Sequence, residues 1–126
     1  MRAMQPVLLG LTAAMLAGGV HADETRNYSG GTARGQSFVF DHWLNYDEAS
    51  CLERGAVRIA MRTPPRLGTV SITTRKTKSD SGACAGKPFS VVEVVYRAGR
   101  TPGDDRFTYE VQGFSRFFIN AAVTVR

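Results

Sequence analysis

Apolar and polar residues alternate with a period of two over most of the chain beyond residue 22. Val57, Ile59 and Met61 alternate with Arg58, Ala60 and Arg62, and Val70 and Ile72 with Thr69, Ser71 and Thr73. Val92, Val94 and Tyr96 alternate with Val91, Glu93, Val95 and Arg97. Phe107, Tyr109 and Val111 alternate with Thr108 and Glu110. The longest pattern sets Phe117, Ile119, Ala121, Val123 and Val125 against Phe118, Asn120, Ala122, Thr124 and Arg126. A strand turns successive side chains to opposite faces, so each pattern predicts a strand with its first set in a core. Residues 36–40 form a shorter candidate, and Tyr28 opens another.

The segments between these runs are rich in strand breakers. Pro64-Pro65-Arg66-Leu67-Gly68, Ser79-Asp80-Ser81-Gly82 and Thr101-Pro102-Gly103-Asp104 each separate two runs. Proline donates nothing to a ladder, and glycine admits a positive φ. No apolar stripe of helical period lasts three turns. Residues 42–51 are the one ambiguous stretch and read as a short helical turn. Six or seven short strands in about 100 residues predict an antiparallel β-sandwich. No repeat or linker divides them, so residues 23–126 read as one domain.

Residues 1–22 read differently. Arg2 is followed by an uncharged apolar run over residues 6–20, and Val20-His21-Ala22 places small residues at the −3 and −1 positions before Asp23. This is the pattern of a secretory signal peptide, cleaved after residue 22. The run falls short of the roughly 20 residues that cross a bilayer. No membrane span is expected after cleavage, and no cysteine near residues 16–20 offers a lipid anchor. The expected location is periplasmic or extracellular. In such an oxidising compartment Cys51 and Cys84, the only two cysteines, read as one disulfide.

Composition adds a charge bias. The chain of 126 residues is 43% hydrophobic and 21% charged, which excludes a disordered chain and a polytopic membrane protein. Beyond residue 22 it holds 12 Arg and 3 Lys against 11 Asp+Glu, a net charge of +4. Arg58, Arg62 and Arg97 fall on the polar phase of their strands, and Arg75, Lys76 and Lys78 crowd what reads as one loop. Together they form a candidate face for lipopolysaccharide, teichoic acid, an acidic glycan or an acidic partner protein. Nucleic acid is not expected, because the chain is exported and lacks a basic motif interleaved with aromatics.

Pro65-Arg66-Leu67-Gly68-Thr69-Val70 resembles the Pro-x-x-Gly-Thr-Val motif of bacterial cadherin-like and immunoglobulin-like repeats. Tyr96 starts the partner motif, and Gly103 to Val111 resembles its Gly-x-Asp-x-Phe-Thr-Tyr-x-Val ending. The resemblance covers residues 62–126. It departs at Ala98, where those repeats often carry proline, and in a loop before Gly103 that is one residue shorter. It implies an all-β, immunoglobulin-like antiparallel sandwich of about seven strands in a cell-envelope setting, and no catalytic activity. It also gives Pro65, Gly68, Gly103, Asp105 and Tyr109 structural roles, with Asp105 capping its turn and the Tyr109 hydroxyl bonding back to nearby backbone as in a tyrosine corner.

Other chemistry is thin. Calcium takes six to eight oxygens, and Asp104, Asp105 and Glu110, or Asp41, Asp47 and Glu48, are sparse candidates. His42 is the only histidine beyond residue 22. A small hydrolase built on it is a distant alternative, since no nucleophile elbow accompanies it; the plainer expectation is a partly buried His42 and a Trp43 that anchors the sandwich end. Val91, Val95 and Phe118 lie on the phase read as outward, so either both faces are covered or an apolar contact surface is exposed. Asn27-Tyr28-Ser29 matches a glycosylation acceptor by chance. The reading is a non-enzymatic envelope module without a cofactor. It binds a protein through a sheet edge or the Val91/Val95/Phe118 surface, or alternatively a polyanion through arginines.

Overall fold

The computed structural model describes residues 23–113 and 115–126. The export segment expected over residues 1–22 lies outside the described residues. Nine strands follow one another: β1 (Glu24–Thr32), β2 (Ser37–Trp43), β3 (Tyr46–Asp47), β4 (Leu52–Glu53), β5 (Arg58–Thr63), β6 (Gly68–Lys78), β7 (Pro88–Ala98), β8 (Gly103–Gln112) and β9 (Arg116–Val125). One sheet has the order β1-β9-β8-β5 and the other β2-β7-β6. The two extra strands beyond the expected seven, β3 and β4, form a hairpin of two residues a side that begins in the segment read as a helical turn and ends just beyond it. The all-β class with one disulfide is therefore as expected. One pairing is parallel: β1 runs beside β9 in register from Glu24 with Phe117 to Thr32 with Val125.

The alternation along β8 and β9 decides the core. Phe107, Tyr109, Val111, Phe117, Ile119, Ala121, Val123 and Val125 are all buried, and Val94, Tyr96 and Ala98 of β7 meet them from the other sheet. Each large apolar side chain so buried contributes about 1.5–3 kcal/mol. Rings of both sheets interlock: Phe107 lies 5.2 Å from Phe40, 5.9 Å from Tyr96 and 5.9 Å from Tyr109. Val57, Ile59, Met61 and Val70 pack at the margin of this core. Ile72, expected inside, is 37% exposed, because β6 is the outer strand of its sheet and its far half projects from the core.

Two polar side chains are drawn into the sandwich. A bulge between Val39 and Asp41 shifts the β2 register, so Phe40 and Asp41 both serve the inner side. Asp41 accepts hydrogen bonds from the Trp43 indole at 2.5 Å and the Tyr109 hydroxyl at 2.7 Å. The Tyr109 hydroxyl thus bonds across the sandwich to a side chain of β2, not back to nearby backbone as the tyrosine-corner pattern implies. Burial and Asp41 push this hydroxyl well above the usual tyrosine range, so it stays a donor. Trp43 closes the end of the core against Phe117, 4.9 Å away. His42, the next residue on the opposite phase, is exposed rather than partly buried.

The second polar group is Asp105, 3% exposed. It caps a different turn from the one expected. Pro64 and Pro65 end β5, and the next two amides, of Arg66 and Leu67, donate to its carboxylate at 2.8 and 3.0 Å. Tyr96 donates to it at 2.7 Å. Gly68 follows because a Cβ there would lie 2.4 Å from the Arg97 carbonyl oxygen and 2.7 Å from the Tyr96 ring. Gly103 opens β8 at φ +141°.

At the opposite end the Cys51–Cys84 disulfide joins the β4 side of the hairpin to the β6–β7 loop. The Ser90 amide donates to Glu53 at 2.6 Å, and the Tyr46 ring meets the Phe89 ring at a tilt, 5.1 Å between centroids, which fastens the hairpin to β7.

Candidate functional site

The candidate polyanion residues do not share a face. Arg58 and Arg62 project from the outer side of the four-stranded sheet, whereas Arg75 and Arg97 project from the outer side of the three-stranded sheet. Arg75, Lys76 and Lys78 lie on strand β6 and not in a loop, and Lys76 and Lys78 take the opposite phase from Arg75. Most of these cations are already engaged. Arg62 pairs with Glu110, Arg75 with Glu93 at 2.9 Å and Lys76 with Glu53 at 3.8 Å, while Arg58 donates to Gln112.

Glu110 explains part of this. It sits on the outward phase yet is buried, clamped by Arg62 and by Arg116 at 3.0 Å. The Arg62 hydrogen bond above all holds its carboxyl below the usual carboxylate range. Arg62 and Arg116 therefore neutralise a buried acid and are not free for a ligand.

Of the two alternatives left open for Val91, Val95 and Phe118, the structure does not show a shared exposed patch. Val91 is only 5% exposed, Val95 and Phe118 are half-buried, and the two sheets place Phe118 on the opposite side from Val91 and Val95. The carboxylates considered for calcium are likewise dispersed. Asp105 and Asp41 are consumed inside the fold, Asp104 accepts from the Thr124 hydroxyl, and Asp47 caps residues 49–50. Among the described residues no group of three or more His, Cys, Asp or Glu is placed to hold a metal ion.

A basic region stands instead at one end of the sandwich, where sequence reasoning named only Arg97. The turn after β1, the loop after β5, the loop after β7 and the end of β9 all lie there, and they carry Arg34, Arg66, Arg100 and Arg126. Backbone bonds stitch these segments together. Gly35 N–H donates to Gly99 at 3.0 Å, Gly99 N–H to Leu67 at 2.9 Å, Ala98 N–H to Gln36 at 2.9 Å and Arg34 N–H to Arg126 at 2.9 Å. The platform is thus set by main chain, with no room for a Cβ at residue 99, which would lie 2.6 Å from the Leu67 carbonyl oxygen.

Arg34, Gly35, Arg97, Ala98, Gly99 and Arg100 line one cavity of ≈ 620 Å³ on this platform. Arg97 is braced by a hydrogen bond to the Ser37 hydroxyl at 3.2 Å. Among the described residues Arg34, Arg97 and Arg100 meet no carboxylate, whereas Arg26, Arg54, Arg62, Arg75 and Arg116 each do. The acids nearest in sequence, Asp104 and Asp105, do not neutralise them. Asp105 is buried under Arg66, Leu67 and Tyr96, and Asp104 faces Thr124. The geometry offers concentrated positive charge and many N–H donors.

No protein-family model, no curated protein and no solved structure matches the chain.

Proposed function

We propose that this protein is an exported, non-enzymatic binding module of the cell envelope whose ligand is anionic and is held at the arginine-bearing end of the sandwich. The observation that carries the reading is the cavity lined by Arg34, Arg97 and Arg100, whose guanidinium groups meet no carboxylate among the described residues. Export is read from residues 1–22, and the immunoglobulin-like character from the 65–70 and 103–111 motifs; the division of the long strands into β1-β9-β8-β5 and β2-β7-β6 supports it. Arginine forks recognise oxyanions with two donors each, and a cluster of them attracts anions from a distance.

Retention on a sulfated polysaccharide column tests this. The protein is expected to bind and to elute with salt, since exposed charge attraction is screened beyond roughly 10 Å at 0.1 M. An Arg34→Ala/Arg97→Ala/Arg100→Ala variant is expected to lose about tenfold or more in affinity. Lys87→Ala, at the other end of the sandwich, is expected to change little. Equal retention of the triple variant and the parent overturns the reading.

A protein partner at a sheet edge is the second reading. It is favoured by β6, whose residues from Gly68 to Lys78 form a long, largely exposed outer strand with unpaired backbone groups. Binding by that route persists at high salt.

A further inference from the structure

We propose that the cavity between the β1–β2 turn and the β7–β8 loop receives one tetrahedral oxyanion group, a phosphate or sulfate ester at the end of a larger ligand, gripped by Arg34, Arg97 and Arg100. This rests on the anion-binding reading and narrows it from a diffuse charged surface to a single pocket.

Edge protection is the ordinary reason for surface arginines on a sandwich, because a charge on an outer strand blocks pairing with another chain. It does not account for this set. Arg97 lies on β7, the central strand of its sheet, and Arg34 and Arg100 lie in turns. Nor do internal ion pairs account for them, as they do for Arg62 and Arg116 around Glu110.

The chemistry favours an anion with three equivalent oxygens. Three guanidinium groups bring a formal charge of +3 and up to five N–H donors each. A single carboxylate has two oxygens, enough for one fork and leaving the others unengaged. A phosphate or sulfate ester offers three terminal oxygens to three forks. Little loop ordering is required, because the main-chain bonds of Arg34, Gly35, Ala98 and Gly99 already fix the lining. The cavity of ≈ 620 Å³ is much larger than a bare oxyanion and falls in the range of about 300–1,000 Å³ that small-molecule ligands occupy. The remaining space takes the body that bears the ester.

Amide NMR of the purified protein tests the pocket, with inorganic phosphate, sulfate and acetate titrated separately at constant ionic strength. The expected result is saturable shifts of the Gly35 and Gly99 amides with phosphate and with sulfate. Acetate is expected to bind about tenfold or more weakly, and Arg97→Ala to remove the saturation. Between pH 5.5 and 8 sulfate affinity should stay level, whereas phosphate affinity should rise as its second proton leaves around neutral pH. Equal affinity for acetate and phosphate, or shifts spread over all basic residues without saturation, overturns the pocket. If that happens while the triple arginine variant still weakens retention on the sulfated column, the pocket falls and the anion-binding reading stands. If neither assay responds to the arginines, both fall.

Discussion

Asp105→Ala is expected to lower stability by about 3–4 kcal/mol, a fall in melting temperature of about 15–25 °C for a domain of this size. The loss comes from what the change leaves behind. The amides of Arg66 and Leu67 lose their acceptor, and the buried Tyr96 hydroxyl is stranded. Tyr96→Phe removes one of these bonds and keeps the turn capped, so its loss should be nearer 1 kcal/mol. Calorimetry on both variants checks the order. Equal losses would mean that the turn is held by the prolines and Gly68 without help from Asp105.

The same carboxylate sets an acid limb. Burial by itself raises its pKa, but the Arg66 amide, the Tyr96 hydroxyl and the Leu67 and Arg106 amides outweigh burial and hold it below the usual carboxylate range. The unfolded chain therefore takes up the proton first as pH falls. The stability contributed by this group is whole above about pH 4, the ordinary aspartate value, and fades as pH falls through the lower folded value. Asp105→Asn should be less stable at neutral pH and flatter in acid. Parallel curves of melting temperature against pH for the two proteins would sink this.

Opening the disulfide is the second large effect. Cys51 and Cys84 are 33 residues apart, and closing a loop of that length contributes about 4 kcal/mol through the entropy of the unfolded chain. Denaturant unfolding of a Cys51→Ser/Cys84→Ser variant should show this loss. Phosphate titration should still move the Gly35 and Gly99 amides in the folded variant, since the bond lies at the far end of the sandwich. A loss below about 1 kcal/mol would mean that the Glu53–Ser90 bond and the Tyr46–Phe89 contact hold the hairpin unaided.

Strands β7, β8 and β9 were legible because the alternation runs unbroken along each and the residues it turns inward are buried; the burial of Val91 and Glu110 on the other phase is what it does not show. The 42–51 stretch was not, because a two-residue hairpin is too short to show any period. The bulge at Val39–Asp41 breaks the phase in the middle of β2, so no period reveals that Asp41 turns inward while His42 turns out. Asp105 was singled out, but its partners Arg66 and Leu67 lie 39 and 38 residues away, beyond the reach of local spacing. The arginine-lined cavity was hidden for a similar reason. Arg34 comes from the turn after β1, and Arg97 and Arg100 from the end of β7 and the loop beyond it, and only the topology brings them together. Arg58, Arg62 and Arg97, grouped by phase, were assigned to one surface although phase cannot tell one sheet's outside from the other's.

The parallel seam between β1 and β9 has a mechanical consequence. Both strands run toward the arginine-bearing end, so β1 begins at the opposite end and β9 finishes at the arginines. A pull on the chain entering β1, resisted where β9 leaves, drags the two strands past each other along their length. The ladder is then loaded in shear, with all nine registered pairs sharing the force, instead of being peeled one bond at a time. A domain tethered by its first strand would hold its arginine-bearing end outward and stay folded under tension.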